Sequence, residues 1–137
     1  MNRVLVDTGP LVAILSSTDQ HHRACVDVLR ALPAPLLTCW PVITEAAWLL
    51  RGHASAVGRL LLGIDGGFLA LLPLAGDDAK SIADILSRYQ EIRPQLADAA
   101  LVHLATREEI ETIFTLDRRD FSVYRSARRR RFQIVPE

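Results

Sequence analysis

Val4-Leu5-Val6-Asp7-Thr8-Gly9-Pro10 is the stretch on which the fold is decided. Three apolar residues in a row, without polar alternation, predict a strand buried on both faces, as in a parallel sheet. Asp7 to Gly9 turn the chain out of that strand. Pro10 then suits the first turn of a helix, where its missing N–H leaves no bond unmade. A strand running straight into a helix starts a β–α unit.

The rest of the chain repeats that alternation. From His22 to Leu32, residues Cys25, Val28, Leu29 and Leu32 fall at i, i+3, i+4 and i+7, one face of a helix that Pro33 and Pro35 stop. Leu36 to Trp40 is a second strand. Pro41 opens another helix, with Val42, Ala46 and Leu49 on one stripe. Ala54 to Ile64 is a further helix, ended by Gly66-Gly67. Phe68 to Leu72 is a third strand. Asp77 starts a helix whose stripe is Ala79, Ile82, Ala83 and Leu86. Ala97 to Arg107 is another helix, Thr112 to Leu116 a fourth strand and Phe132 to Val135 a fifth. Strands alternating with helices predict an α/β domain with a mostly parallel sheet. With no internal repeat or linker, residues 1–137 read as one domain.

Composition sets outer bounds. A chain of 137 residues, half of them hydrophobic, buries about two-thirds of its unfolded surface and needs no staples. Acidic and basic residues number 16 each, so overall charge does not point to nucleic acid. Every cation but Lys80 is an arginine, which suits bidentate contacts with phosphate. Cys25 and Cys39 lack zinc-ligand spacing and read as buried free thiols in a reducing cytoplasm. The start lacks the basic-then-apolar order of a signal peptide. No apolar run is long enough to span a membrane.

The chemistry lies in the acids. In open parallel sheets the ligand site lies beyond the carboxyl ends of the strands. Asp7 directly follows the first strand and Asp117 the fourth, although each residue type also serves in turns and caps. Glu45 stands inside its helix's apolar stripe, between Val42 and Leu49, where an uncompensated carboxylate is expensive. Asp98 stands likewise with Leu101, Val102 and Ala105, and in a first helical turn, where the dipole favours an ionised carboxylate and N-capping is the bland alternative. Together these are hard oxygen ligands suited to Mg²⁺ or Mn²⁺. Such ions orient a water and neutralise a phosphodiester in its transition state. His21, His22, His53 and His103 show no ligand spacing.

Four segments resemble a known family in order and spacing. Val4-Leu5-Val6-Asp7-Thr8-Gly9-Pro10-Leu11 resembles the opening of PIN domains. Val42-Ile43-Thr44-Glu45-Ala46, Leu96-Ala97-Asp98-Ala99-Ala100 and Phe114-Thr115-Leu116-Asp117-Arg118-Arg119-Asp120-Phe121 resemble their second, third and fourth acidic motifs. The size and motif wording are similar to VapC-type toxins of prokaryotic toxin–antitoxin modules.

The resemblance implies a three-layer α/β/α domain with a central, mostly parallel five-stranded sheet. It implies metal-dependent cleavage of RNA, with Asp7, Glu45, Asp98 and Asp117 as catalytic metal-binding acids and Mg²⁺ or Mn²⁺ as cofactor. Thr8 and Thr115 fall where the family often places a hydroxyl. Asp120 is either a fifth acid or a partner of Arg118, Arg119 or Arg125. The resemblance also implies a cognate antitoxin, a homodimer and a cytoplasmic setting without membrane.

Arg118, Arg119 and the run Arg128, Arg129, Arg130 and Arg131 are candidates for RNA phosphates. The run could equally be a solvated face. Trp48 reads as core in preference to a groove for a partner helix. Two enzyme-like rivals weaken. A haloacid-dehalogenase-like phosphatase needs an acid where Gly9 stands, and a receiver domain needs a late lysine, whereas Lys80 lies mid-chain. A non-catalytic PIN fold that binds RNA or protein is the alternative, and the presence of all four acids disfavours it.

Overall fold

A computed structural model describes residues 3–137; Met1 and Asn2, the first two residues of the expected domain, lie outside it. The chain runs β1 (Val4–Val6), α1 (Thr8–Leu15), α2 (His22–Ala31), β2 (Leu36–Thr38), α3 (Trp40–Leu49) and α4 (Ala56–Asp65). It continues through β3 (Leu69–Leu71), α5 (Ala79–Arg88), α6 (Leu96–Glu108), β4 (Thr112–Phe114), α7 (Arg118–Phe121) and β5 (Gln133–Val135).

All five strands are parallel, in the order β3-β2-β1-β4-β5. Leu5 pairs with Leu37 on one side and Ile113 on the other, and Phe114 pairs with Val135. Every residue of β1 and β2 is buried, as expected of a sheet covered on both faces. The chain moves outward from β1 to β2 to β3, then returns across β1 to β4 and β5. The right-handed crossover that parallel strands almost always take would send the two groups of helices to opposite faces. The strand order therefore reverses between β1 and β4. The crevice at their carboxyl ends is the topological switch point, where such sheets bind ligands.

Several sequence expectations need correcting. Trp48, expected in the core, is 63% exposed, and Leu49 is 49% exposed. Only Val42, Ile43 and Ala46 of α3 are buried. α5 turns a different face inward: Ile85 is buried, whereas Ala79 and Ala83 face solvent. The larger side chains Ile82, Ile85 and Leu86 win the contact because they bury more apolar area than alanine. α4 begins at Ala56, after a left-handed Ser55. Trp40 belongs to α3 rather than β2, and α7 was not anticipated. Cys25 and Cys39 are free and buried, as expected.

Candidate active site

Four helices deliver the acids. Asp7 ends β1 and caps α1: its Oδ1 accepts from the Thr8 N–H at 2.8 Å. Glu45 comes from the middle of α3. Asp98 lies in the first turn of α6, its Oδ2 accepting from the Gln95 N–H at 3.1 Å. The capping reading of Asp98 therefore holds, but it occupies only one of the carboxylate oxygens. Asp117 caps α7 and accepts from the Asp120 N–H at 3.1 Å.

These acids line one open pocket of about 520 Å³, together with Asp120, Thr8, Gly9, Leu49, Arg93, Gln95 and Leu116. The pocket sits at the carboxyl ends of β1 and β4, the switch point identified above. Two threonines tie its members together. Thr115, fully buried, donates to Asp7 Oδ2 at 2.8 Å and accepts from the Asp117 N–H at 3.0 Å. Thr8 donates to Glu45 Oε1 at 3.1 Å. Both hydroxyls therefore orient carboxylates.

The electrostatics are unfavourable as they stand. Burial pushes the Asp7 carboxyl up to about 6, against hydrogen bonds from Thr115 and Thr8, with Glu45 and Asp117 adding repulsion. Burial and then the charge of Asp7 push Asp98 up to about 7. Asp120 is raised by burial and by Asp117. Among the described residues, none of the five acids forms an ion pair within 4 Å. This includes Asp120, whose suggested pairing with Arg118, Arg119 or Arg125 does not form. Arg118 donates to the Pro136 carbonyl instead, and Arg125 to the carbonyls of Ser122, Val123 and Tyr124.

Converging, unpaired carboxylates at a switch point are chemically suited to a cation. The donors are all oxygens, which suits a hard ion. Among the described residues, no three such side chains are drawn together closely enough to enclose an ion. Mg²⁺, which keeps several of its waters and binds through one or two carboxylates plus substrate phosphate, does not require such an enclosed cage.

The sequence reading missed Arg93 and Gln95 in the pocket wall. Neither lies in a motif or an apolar stripe, so nothing in the spacing points to them. The Arg128–Arg131 run proves remote from the acids. Arg128 faces Glu109 at 3.8 Å and Arg130 faces Glu111 at 3.6 Å. Both glutamates precede β4, so the run lies at the amino end of the strands, away from the acids at the carboxyl end.

There are two apolar surfaces, one of which borders the site. Trp40, Trp48 and Leu96 line an open groove that shares Glu45 and Gln95 with the acid pocket. A second cleft of about 250 Å³, lined by Leu11, Ile14, Leu15, Leu29, Leu60 and Phe68 among others, opens between α1, α2 and α4.

Comparisons with known proteins give the family and the fold. The PIN-domain family model matches residues 4–126. A Mycobacterium tuberculosis protein named Ribonuclease VapC26 is 30% identical over 135 residues, which are 97% of this chain and 100% of that protein. The crystal structure of M. tuberculosis VapC20, a toxin that cleaves the sarcin-ricin loop, is similar in fold. Its TM-score is 0.72 at 18% identity, covering 80% of this chain and 86% of that one.

Proposed function

Because the chain belongs to the PIN-domain family, among its VapC ribonucleases, we propose that it is an endoribonuclease acting as the toxin of a toxin–antitoxin pair. It hydrolyses RNA phosphodiester bonds with a divalent cation, Mg²⁺ or Mn²⁺. The observation that carries this reading is the convergence of Asp7, Glu45, Asp98 and Asp117 on one pocket at the switch point, none of them paired with a cationic side chain.

Asp7, Glu45, Asp98 and Asp117 would hold the cation, with Asp120 beside Asp117 as a further oxygen donor. When bound, the cation neutralises charge on the phosphodiester and lowers the pKa of an attacking water. The protein's own contribution is preorganisation. Thr115 locks Asp7 and the start of the Asp117 turn in one arrangement, and Thr8 aims Glu45. The amino end of α1 and the first turn of α6 favour ionised carboxylates at Asp7 and Asp98.

The partners follow from the same reading. RNA is the substrate. The cleft between α1, α2 and α4 suits the apolar anchors of an antitoxin segment, because it is concave and almost wholly apolar. The exposed Trp40, Trp48 and Leu96 form an apolar face that a second copy would cover in a homodimer. Among the described residues no helix is long and apolar enough to cross a membrane, and the cytoplasm is the proposed setting.

Incubating the purified protein with single-stranded RNA in Mg²⁺, and again in EDTA, tests the chemistry. Cleavage is expected only with Mg²⁺. Expression should arrest growth, and Glu45→Gln or a co-expressed antitoxin should relieve the arrest. RNA binding without cleavage in either metal would establish the non-catalytic alternative. Cleavage without any growth effect would leave a PIN nuclease that is not a toxin.

A further inference from the structure

Five carboxylates line the acid pocket, and one cationic side chain, Arg93, lines it with them. Arg93 is exposed, and among the described residues no acid lies within 4 Å of its guanidinium. An unpaired guanidinium beside so much negative charge is unusual, since pairing with a neighbouring acid would be easy for so long a side chain.

Arg93 closes the 3₁₀ turn Gln90–Ile92 in a left-handed conformation, φ 52°, with its N–H bonded to the Gln90 carbonyl at 3.1 Å. Pro94 follows, with its own φ fixed. A left-handed arginine is an outlier, because its Cβ crowds the backbone there. Such outliers persist where the surroundings hold them in place, often at ligand sites. The stiff turn anchors the arginine on the pocket's wall rather than on the helix that carries Asp98.

Resting on the ribonuclease reading, we infer that Arg93 is a positioning residue that grips a phosphate of the RNA strand next to the scissile one. A cation held by the acids compensates charge only at the bond to be cut. The neighbouring phosphates of the same strand still face the carboxylates and are repelled. A guanidinium on the wall offsets that repulsion and fits a phosphate through two parallel N–H bonds. Three of the other candidate arginines do not compete for this task. Arg118 is held on Pro136, and Arg128 and Arg130 face glutamates at the other end of the sheet.

The contact forms in the substrate complex and persists in the transition state, so its loss should raise KM more than it lowers kcat. Arg93→Ala should raise KM for a single-stranded RNA oligonucleotide by about tenfold, the scale of a lost charge-assisted hydrogen bond. Binding of the same oligonucleotide, measured in the Asp98→Asn background at fixed Mg²⁺, should lose about 0.7 from its log–log salt slope. Arg93→Lys keeps the charge and should keep the slope, while recovering only part of the affinity. Arg93→Asn tolerates the left-handed turn but carries no charge, and it should behave as Arg93→Ala does.

If Arg93 contributes nothing beyond its place in the turn, Asn and Lys both keep wild-type KM and slope. That result, or an unchanged slope in both uncharged variants that still melt as wild type, overturns the inference. Wild-type protein that neither binds nor cuts RNA would instead overturn the ribonuclease reading beneath it.

Discussion

The two ends of the sheet treat charge in opposite ways. At the carboxyl end, Asp7, Glu45, Asp98, Asp117 and Asp120 share a pocket without an ion-pair partner among the described residues, and the carboxyls of Asp7 and Asp98 are pushed well above the usual range. At the amino end, Arg128 and Arg130 each face a glutamate across an exposed surface. Folding alone favours the second arrangement, because opposite charges attract and stay hydrated. The first arrangement costs stability unless something cationic arrives. Uncompensated charge, rather than charge as such, is therefore what separates a site from a solvated surface in this molecule.

The sharpest way to break the comparison is to remove one charge from the acid end. Asp7→Asn and Asp98→Asn should each lower RNA cleavage by at least about 10²-fold, the scale of losing one preorganised electrostatic group. Asn keeps an oxygen for the cap bonds to Thr8 and Gln95, so the helices should still form. Initial rates on a labelled RNA, with circular dichroism to confirm the fold, give the measurement. Retained activity in either variant would place that acid outside the chemistry.

The acids were legible in the sequence because burial and charge conflict there. Glu45 interrupts an apolar stripe, Asp98 another, and Asp7 and Asp117 close apolar strands. The strand–helix alternation was equally legible, since the hydrophobic period changes cleanly at Asp7 and Pro41. What escaped the reading depends on tertiary packing. Trp48 looked like core because large aromatics usually are, but the face of α3 that meets the protein carries Val42, Ile43 and Ala46. Arg93 reaches the pocket through a left-handed turn that no periodicity announces. The Arg128–Arg131 run was ambiguous because its glutamate partners precede a different strand.

A second, smaller effect concerns stability without substrate. In EDTA, Asp7 and Asp98 hold protons in the native state up to about pH 6 and pH 7, against an ordinary value of 3.8. Between those values the folded chain binds more protons than the unfolded one. Their stabilising protonation is complete below the ordinary value and is lost as pH rises through about 6 and 7. The metal-free protein should therefore melt several degrees higher at about pH 5 than at about pH 8. Asp98→Asn should flatten that dependence and melt at or above wild type at about pH 8. Saturating Mg²⁺ should stabilise wild type by RT ln(1 + [L]/Kd), about 1.4 kcal/mol at ten times Kd, or roughly 3–5 °C. Most of that rise should vanish in Asp98→Asn. A wild-type Mg²⁺ response that survives intact in the variant would remove Asp98 from the metal site.

The smallest effect is expected at the amino end, and it tests the contrast from the other side. Arg128 is 70% exposed and Arg130 60% exposed, with their glutamates 3.8 and 3.6 Å away. Pairs of this kind contribute about 0.2–1 kcal/mol at most. Arg128 and Arg129 also stand at positive φ, 65° and 58°, where alanine would add backbone strain unrelated to charge. Asparagine tolerates that region, so the clean variant carries Asn at 128 and 129 and Ala at 130 and 131. Its melting temperature should fall by a few degrees at most, and raising the salt concentration should shrink the difference, because salt screens exposed pairs. If the run is a solvated face, the salt slope of RNA binding should match wild type, in contrast to the loss of about 0.7 expected for Arg93→Ala. A slope reduced by that much or more would mean that the strand reaches from the acid pocket to the far end of the sheet. The glutamate-facing arginines would then exchange their partners for phosphate on binding, and the two ends of the molecule would act on one ligand.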